Sequence, residues 1–380
     1  MIKRNFLFVI FLFASIYSNA QQTLNESMLH DGVTREYIVY IPAVYNGSTP
    51  APILFNFHGY RNSANSQMSY GNMRAVADTA GFILVYPQGT LFWGSSHWNV
   101  GSWTFGSTAD DIGFTEAMID TLAANYNIDL NRVYSCGYSN GGYFSFVLAC
   151  QLSAKIAAIG SVGGTMSTET YNSCNPSHPT PIVTIHGTDD ATVSYYGGKP
   201  YNSESIADVN TYWANHNNTM LSPIISNLPN INTSDGSTVE LSLYNNGDNC
   251  TSVEHYRVIG GDHAWPGSWG NMDINADAVI WRFVSQYDIN GLIGCTATSM
   301  NENNNAGKNY TIYPNPVNSQ ITIDMVLAGE KEYRLYNPIG ELVLSGVLNS
   351  QISTIDLSSL LPNVYVLNID NYSTKLIKTE

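Results

Sequence analysis

The chain has 380 residues, of which 44% are hydrophobic and only 12% are charged. This composition supplies enough apolar side chains for a large core and excludes a disordered or coiled-coil protein. Acidic residues outnumber basic ones by 30 to 15, for a net charge of −15, so nucleic acid is not an expected partner.

The first twenty residues have the pattern of a secretory signal peptide. Lys3 and Arg4 precede an apolar run at residues 6–14, and the small residues Ser18 and Ala20 stand before Gln21. This order is typical of a cleaved export signal. We predict a signal peptide at residues 1–20 and a secreted, extracellular mature protein. The apolar run is shorter than the roughly 20 residues of a membrane span, and no membrane span is expected elsewhere.

Residues 21–295 alternate between strand-like and helix-like segments. Strands are predicted at 53–57, 82–86, 133–136 and 182–186, and helices at 73–80, 115–124, 141–152 and 276–287. Strands that alternate with helices indicate a mostly parallel sheet with helices on both faces, the α/β class.

The amino-acid composition and the pattern of apolar residues change after residue 295. Residues 296–309 read as a linker, because they carry almost no large apolar side chain. Residues 310–380 show short alternating apolar runs separated by turn residues, which predict a small all-β sandwich.

Three short motifs in residues 310–380 resemble those of a known domain family: YPNP at 313–316, YNPIG at 336–340 and KLIK at 375–378. Together they resemble the C-terminal sorting domain of type IX secretion. The resemblance implies that the type IX machinery is a partner and carries the chain across the outer membrane. The alternative is a small carbohydrate-binding or spacer sandwich, which exposed aromatic side chains in a groove would favour.

Five cysteines follow the predicted signal peptide, at 136, 150, 174, 250 and 295. Their long spacings contain no CxxC pattern, and their number is odd. We expect one or two disulfides and at least one free thiol, with Cys150–Cys174 as the preferred pair.

The segment GYSNG at 137–141 fits a G-x-S-x-G nucleophile elbow. It stands between a predicted strand and a predicted helix, and its glycines permit the sharp turn that exposes the serine hydroxyl. Ser139 is therefore the predicted nucleophile.

A serine nucleophile needs a general base and an orienting carboxylate, which follow it in the order acid, then histidine. His263 lies in the glycine-rich loop 260–267 and is the predicted base. Asp189 and Asp190 both follow the predicted strand 182–186, and chemistry alone does not separate them. The predicted oxyanion donors are the amides of Asn140, after the nucleophile, and Tyr60, after the strand 53–57.

Six motifs, in the same order along the chain as in a second family, carry another resemblance: HGY at 58–60, YPQGT at 86–90, DDIGF at 110–114, RVYSCGYSNGG at 132–142, HGTDDATVSY at 186–195 and GGDHAWPG at 260–267. Together they resemble the secreted α/β-hydrolases grouped as polyhydroxybutyrate depolymerase-like enzymes and as feruloyl or acetylxylan esterases of carbohydrate esterase family 1. The resemblance implies an α/β-hydrolase fold, serine esterase chemistry without a cofactor, and Asp190 as the catalytic acid. The family has glycine where this chain has Asp262, whose carboxylate we expect to raise the pKa of His263. Asp110 and Asp111 are interpreted as loop or helix-cap residues.

The expected function is a secreted serine carboxylic-ester hydrolase that releases feruloyl or acetyl groups from plant cell-wall polysaccharide. The alternatives are a polyester depolymerase with the same site, and a non-catalytic glycan-binding module. Trp265 and Trp93 are the predicted substrate contacts. The sequence contains no HExxH, EF-hand, P-loop or G-x-G-x-x-G motif, so neither a metal nor a cofactor is expected.

Overall fold

The computed structural model describes residues 21–295, 310–325, 330–337, 342–369 and 372–379. The predicted signal peptide and the predicted linker lie outside the described residues. The chain divides into two compact units, with the boundary between Cys295 and Thr296.

The first unit contains fourteen strands and seven helices among its described residues. The strands are β1 Gln22–His30, β2 Val33–Ile41, β3 Ala51–Phe57, β4 Ile83–Pro87, β5 Leu91–Phe92, β6 Ser95–Ser96, β7 Ile128–Tyr138, β8 Ala158–Val162, β9 Ile182–Gly187, β10 Ile224–Asn227, β11 Thr238–Tyr244, β12 Val253–Ile259, β13 Tyr287–Asp288 and β14 Gly291–Leu292. The helices are α1 Ala64–Tyr70, α2 Arg74–Ala80, α3 Asp111–Asn125, α4 Asn140–Gln151, α5 Thr168–Ser173, α6 Ile206–His216 and α7 Ala276–Val284.

Ten of these strands form one sheet in the order β1-β2-β4-β3-β7-β8-β9-β12-β11-β10. The six central strands, from β4 to β12, run parallel, and an antiparallel pair of strands extends each edge. The carboxyl ends of the parallel strands therefore meet at one edge of the sheet, where ligands bind in open α/β folds.

Helices cover both faces of the sheet, as the sequence predicted. Phe144 of α4 and Trp213 of α6 belong to the core on one face, whereas Ile280 and Phe283 of α7 belong to the core on the other. The α/β expectation is confirmed, with shifted element ends. Among the described residues, no helix is both long enough and apolar enough to cross a membrane.

Helix α3 begins four residues earlier than predicted because Asp110 caps it. The Asp110 carboxylate accepts a hydrogen bond from the Gly113 amide at 2.9 Å, which satisfies a free donor of the first turn. Asp111 is buried and forms an ion pair with Arg35, with 2.6 Å between Nη2 and Oδ1. Asp110 is thus the helix cap that the sequence indicated, whereas Asp111 lies inside α3 as the buried partner of Arg35.

Two disulfides close loops in the first unit. Cys150 pairs with Cys174, which confirms the preferred pairing, and Cys250 pairs with Cys295. Cys136 is free and buried, so the expectation of a free thiol is also confirmed. Each bridge limits the freedom of the unfolded chain, which contributes about 3.5 kcal/mol for the separation of 24 residues and about 4 kcal/mol for that of 45 in the chain-entropy account.

The second unit is all-β, as predicted. Its strands are β15 Tyr310–Tyr313, β16 Gln320–Met325, β17 Lys331–Tyr336, β18 Leu342–Leu348, β19 Ile352–Asp356, β20 Asn363–Ile369 and β21 Tyr372–Lys378. They form two antiparallel sheets, β15-β16-β19 and β18-β17-β20-β21. Alternate residues of both sheets, such as Ile323 and Leu367, share one buried core, which is the packing of a β-sandwich.

Candidate active site

Ser139 lies in a strained turn between β7 and α4. Its backbone has φ of 53° and ψ of −116°, a region that residues with a side chain rarely adopt. The turn is tight because glycine brings its backbone against β3: a Cβ on Gly141 would lie 2.1 Å from the carbonyl oxygen of Phe57. A serine in such a turn, at the carboxyl edge of a parallel sheet, has the geometry of a nucleophile elbow.

Asp190 and His263 meet next to this turn. They follow the neighbouring strands β9 and β12, and His263 Nδ1 lies 2.7 Å from Asp190 Oδ2. The other carboxylate oxygen, Oδ1, accepts hydrogen bonds from the amides of Thr192 and Val193 at 2.9 and 2.7 Å. The structure therefore fixes the carboxylate in one orientation, aimed at the imidazole.

A second histidine also contacts Asp190. His186 Nε2 lies 3.3 Å from Asp190 Oδ2 and 2.8 Å from the carbonyl oxygen of Val193. Burial raises the pKa of Asp190, but hydrogen bonds and charge from His186 and His263 outweigh burial and hold that pKa well below its usual range. Asp190 is thus ionised at neutral pH.

The neighbouring aspartates have other partners. Asp189 is exposed and accepts a hydrogen bond from the Thr188 hydroxyl at 2.9 Å. Asp262 accepts hydrogen bonds from the backbone amides of Ala191 and His263, at 3.2 and 2.7 Å. Its carboxylate therefore joins the acid loop to the histidine loop, while its effect on the pKa of His263 stays a prediction.

Ser139 and His263 line a cavity of about 290 Å³ whose walls are largely aromatic. Trp103 lines it and makes edge-to-face contacts with Tyr60 and Tyr201, with ring centroids 5.6 and 5.3 Å apart. Tyr143 also lines the cavity. Sequence reasoning did not identify Trp103, Tyr143 or Tyr201 as cavity residues. Tyr143 lies one helical turn after Ser139, a spacing that could have indicated it.

The two predicted oxyanion donors lie beside Ser139. Tyr60 lines the cavity, and Asn140 begins α4 directly after the serine. The Asn140 side chain is held by the backbone of Trp98, accepting from its amide at 2.7 Å and donating to its carbonyl at 3.0 Å. Within the described residues, neither the Tyr60 amide nor the Asn140 amide has a backbone or side-chain acceptor.

The structure contradicts the prediction for Trp265. Its ring has 0% exposure, and its Nε1 donates to the buried carboxylate of Asp277 at 3.0 Å. The side chain therefore supports the histidine loop from within the core and does not reach the cavity. Trp93 is 87% exposed in the β5–β6 hairpin, outside the residues that line the cavity.

The sequence matches two known protein families. Residues 107–221 match the phospholipase/carboxylesterase family, and residues 311–379 match the family of secretion system C-terminal sorting domains. Both resemblances inferred from the sequence are confirmed. The second match indicates that the chain is secreted.

Individual relatives are esterases. A bifunctional acetylxylan esterase/xylanase of Neocallimastix patriciarum is 28% identical over 72% of this chain and 36% of its own length. Feruloyl esterase B of Piromyces equi is 32% identical over 43% of this chain and 31% of its own. The chain thus spans about a third of the length of these relatives.

The fold also matches a solved structure. The acetyl xylan esterase from Aspergillus awamori superimposes with a TM-score of 0.50 at 16% identity, covering 70% of this chain and 99% of that one. At this identity the match supports the fold alone, which is the α/β-hydrolase fold expected from the sequence.

Proposed function

We propose that the protein is a secreted serine carboxylic-ester hydrolase that releases feruloyl or acetyl groups from plant cell-wall polysaccharide. The observation that carries the proposal is the strained Ser139 turn, which shares one cavity with a histidine held by a buried carboxylate. The esterase relatives point to the same chemistry. The type IX machinery is the proposed partner of the second unit.

In the proposed mechanism Ser139 Oγ attacks the ester carbonyl carbon and His263 accepts the serine proton. Because Nδ1 of His263 faces Asp190, Nε2 is the nitrogen left for the serine. The ionised Asp190 keeps the imidazole in this tautomer and stabilises the imidazolium that forms. His263 then protonates the leaving alcohol, and water hydrolyses the acyl-enzyme by the same proton transfers in reverse.

The amides of Tyr60 and Asn140 are the proposed donors to the oxyanion. Asn140 is at the first position of α4, where the amide has no helical acceptor and the helix dipole favours negative charge. Two such donors stabilise charge that develops in the tetrahedral intermediate and is absent from the substrate.

The aromatic wall favours an aromatic acyl group over acetyl. A feruloyl ring would contact the rings of Tyr60, Trp103 and Tyr201 in edge-to-face or offset geometry. An acetyl group would fill only a small part of the cavity and leave most of these rings without a contact.

The test compares the full chain with its Ser139→Ala variant on methyl ferulate, p-nitrophenyl acetate and a 3-hydroxybutyrate oligomer. We expect wild type to cleave methyl ferulate with the highest kcat/KM, and the variant to lose at least about 1000-fold in kcat on every substrate. Folding of the variant is checked by circular dichroism. A folded wild-type protein that cleaves none of the three esters would refute the proposal, and preference for the oligomer would replace polysaccharide with polyester as the substrate.

A further inference from the structure

A second cavity of about 450 Å³ lies outside the catalytic pocket. It is bounded by the β1–β2 turn, the start of the β5–β6 hairpin and the segment that precedes α3. Its lining combines apolar residues, Leu91 and Phe92, with polar ones, among them Asp31, Thr90 and Asp110. None of these residues takes part in the proposed ester chemistry.

The hairpin carries an aromatic platform beside this cavity, which Phe92 lines and Trp93 does not. Trp93 is 87% exposed and lies flat on Phe92, with ring centroids 4.6 Å apart and an angle of 16° between the planes. Phe92 in turn stacks on His97, 5.0 Å away. The second face of the Trp93 indole is open to solvent and is free to contact a ligand.

The platform is fixed to the catalytic pocket. The Arg61 amide donates to the carbonyl of Ser96 at 2.9 Å, which joins the hairpin to the segment that contains Tyr60. His97 contacts the carbonyl of Thr90 at 3.0 Å and the Ser107 hydroxyl at 2.7 Å. These bonds attach the hairpin both to the proposed oxyanion loop and to the loop that carries Trp103, so it flanks the proposed reaction site.

We infer that the Trp93–Phe92 platform and its adjoining cavity bind the sugar chain of the polysaccharide whose ester is cleaved. This assignment deepens the proposed function and rests on it for the choice of polymer. The apolar face of a pyranose ring packs on a flat aromatic face, while its hydroxyl groups donate to carboxylates.

Charge favours a neutral polymer over an anionic one. Asp31 and Asp110 line the cavity together with His30, whose Nε2 lies 3.0 Å from Asp110 Oδ2. The guanidinium of Arg35, which also lines the cavity, is paired with Asp111. The whole chain carries a net charge of −15, which repels polyanions. The hydroxyl groups of a neutral sugar chain can donate hydrogen bonds to carboxylates, and its rings can pack on the aromatic face, without that repulsion.

The experiment measures binding separately from catalysis. Full-length Ser139→Ala, which cannot alter the polymer, is assayed for retention on insoluble arabinoxylan and for retardation in gels that contain soluble arabinoxylan. Trp93→Ala is added to this background, Trp93→Phe serves as the conservative variant, and Ile231→Ala is the matched control. Ile231 is 75% exposed and lies outside both cavities.

We expect Trp93→Ala to weaken arabinoxylan binding about 3- to 10-fold, Trp93→Phe to restore most of it, and Ile231→Ala to bind like the parent. Equal retention of Trp93→Ala and its parent would overturn the inference. Retention on polyhydroxybutyrate granules that depends on Trp93, with none on arabinoxylan, would overturn it as well. So would a dimer, seen by sedimentation, that Trp93→Ala dissociates. Because these assays use an inactive variant, their failure is distinct from a failure of the ester assays.

Discussion

Asp277 is a buried carboxylate directly behind the histidine loop, and it makes the stability of the first unit depend on pH. It is 9% exposed, and its only side-chain donor among the described residues is Trp265 Nε1. Burial raises its pKa from 3.8 to about 6, and the hydrogen bond from Trp265 offsets only part of that rise. The folded state therefore holds the Asp277 proton more tightly than the unfolded state does.

The sign and the size of the effect follow from this shift. A raised pKa contributes stability that is fully present below the unfolded value of 3.8 and is lost as the pH rises through about 6. The whole shift corresponds to about 3 kcal/mol, of which about 2 kcal/mol falls between pH 4 and pH 7. Asp277→Asn keeps an acceptor for Trp265 and does not titrate. We expect the stability of wild type relative to Asp277→Asn to fall by about 2 kcal/mol over that interval.

Urea unfolding followed by tryptophan fluorescence measures this difference in the full chain, because all seven tryptophans lie between residues 93 and 281. The control is Asp120→Asn, which removes the same charge at a side chain that is 65% exposed. Its difference from wild type should change by a few tenths of a kcal/mol at most over the same interval. A difference between wild type and Asp277→Asn that is equal at pH 4 and pH 7 would refute the reasoning.

Two further predictions concern the site. His186→Leu removes a donor to Asp190, so we expect kcat to fall about tenfold with little change in KM, and the acidic limb of the pH profile of kcat/KM to move to higher pH. His186→Gln keeps a donor near the position of Nε2 and should restore most of the rate. An unshifted pH profile in the leucine variant would show that His186 acts through packing alone. Trp103→Ala removes the cavity ring that contacts both Tyr60 and Tyr201, so kcat/KM for methyl ferulate should fall about tenfold relative to that for p-nitrophenyl acetate. An equal fall for both esters would show that Trp103 does not select the acyl group.

The parts of the site that depend on local sequence were predictable. The Ser139 turn needs small neighbours, and the glycines that permit it are adjacent in the chain. Asp190 and His263 are 73 residues apart, but each directly follows a strand of a parallel sheet, and such strand ends meet at one edge. The motif order therefore placed His263 and one of Asp189 and Asp190 near Ser139, and the family resemblance selected Asp190.

Side-chain direction in loops was not predictable. Trp265 is two residues from His263, yet its ring points into the core, where Asp277 on α7 accepts a hydrogen bond from its Nε1. Trp103 reaches the cavity through ring contacts with Tyr60 and Tyr201, which come from distant loops. The edge strands were missed for another reason: every residue of β10 is exposed, so its sequence has no alternating apolar pattern.

The Cys250–Cys295 bridge determines where tension enters the first unit. Any pull exerted along the chain from residue 296 reaches Cys295 and passes through the sulfur atoms to Cys250, 45 residues earlier in the sequence. The two-residue strands β13 and β14 lie inside this covalent loop, so a pulling force bypasses them. β12, α7 and His263 lie inside the same loop, so the load falls on the segment before Cys250, which follows β11. Tension applied from residue 296 therefore reaches the ten-stranded sheet through β11, and it bypasses the loop that carries His263.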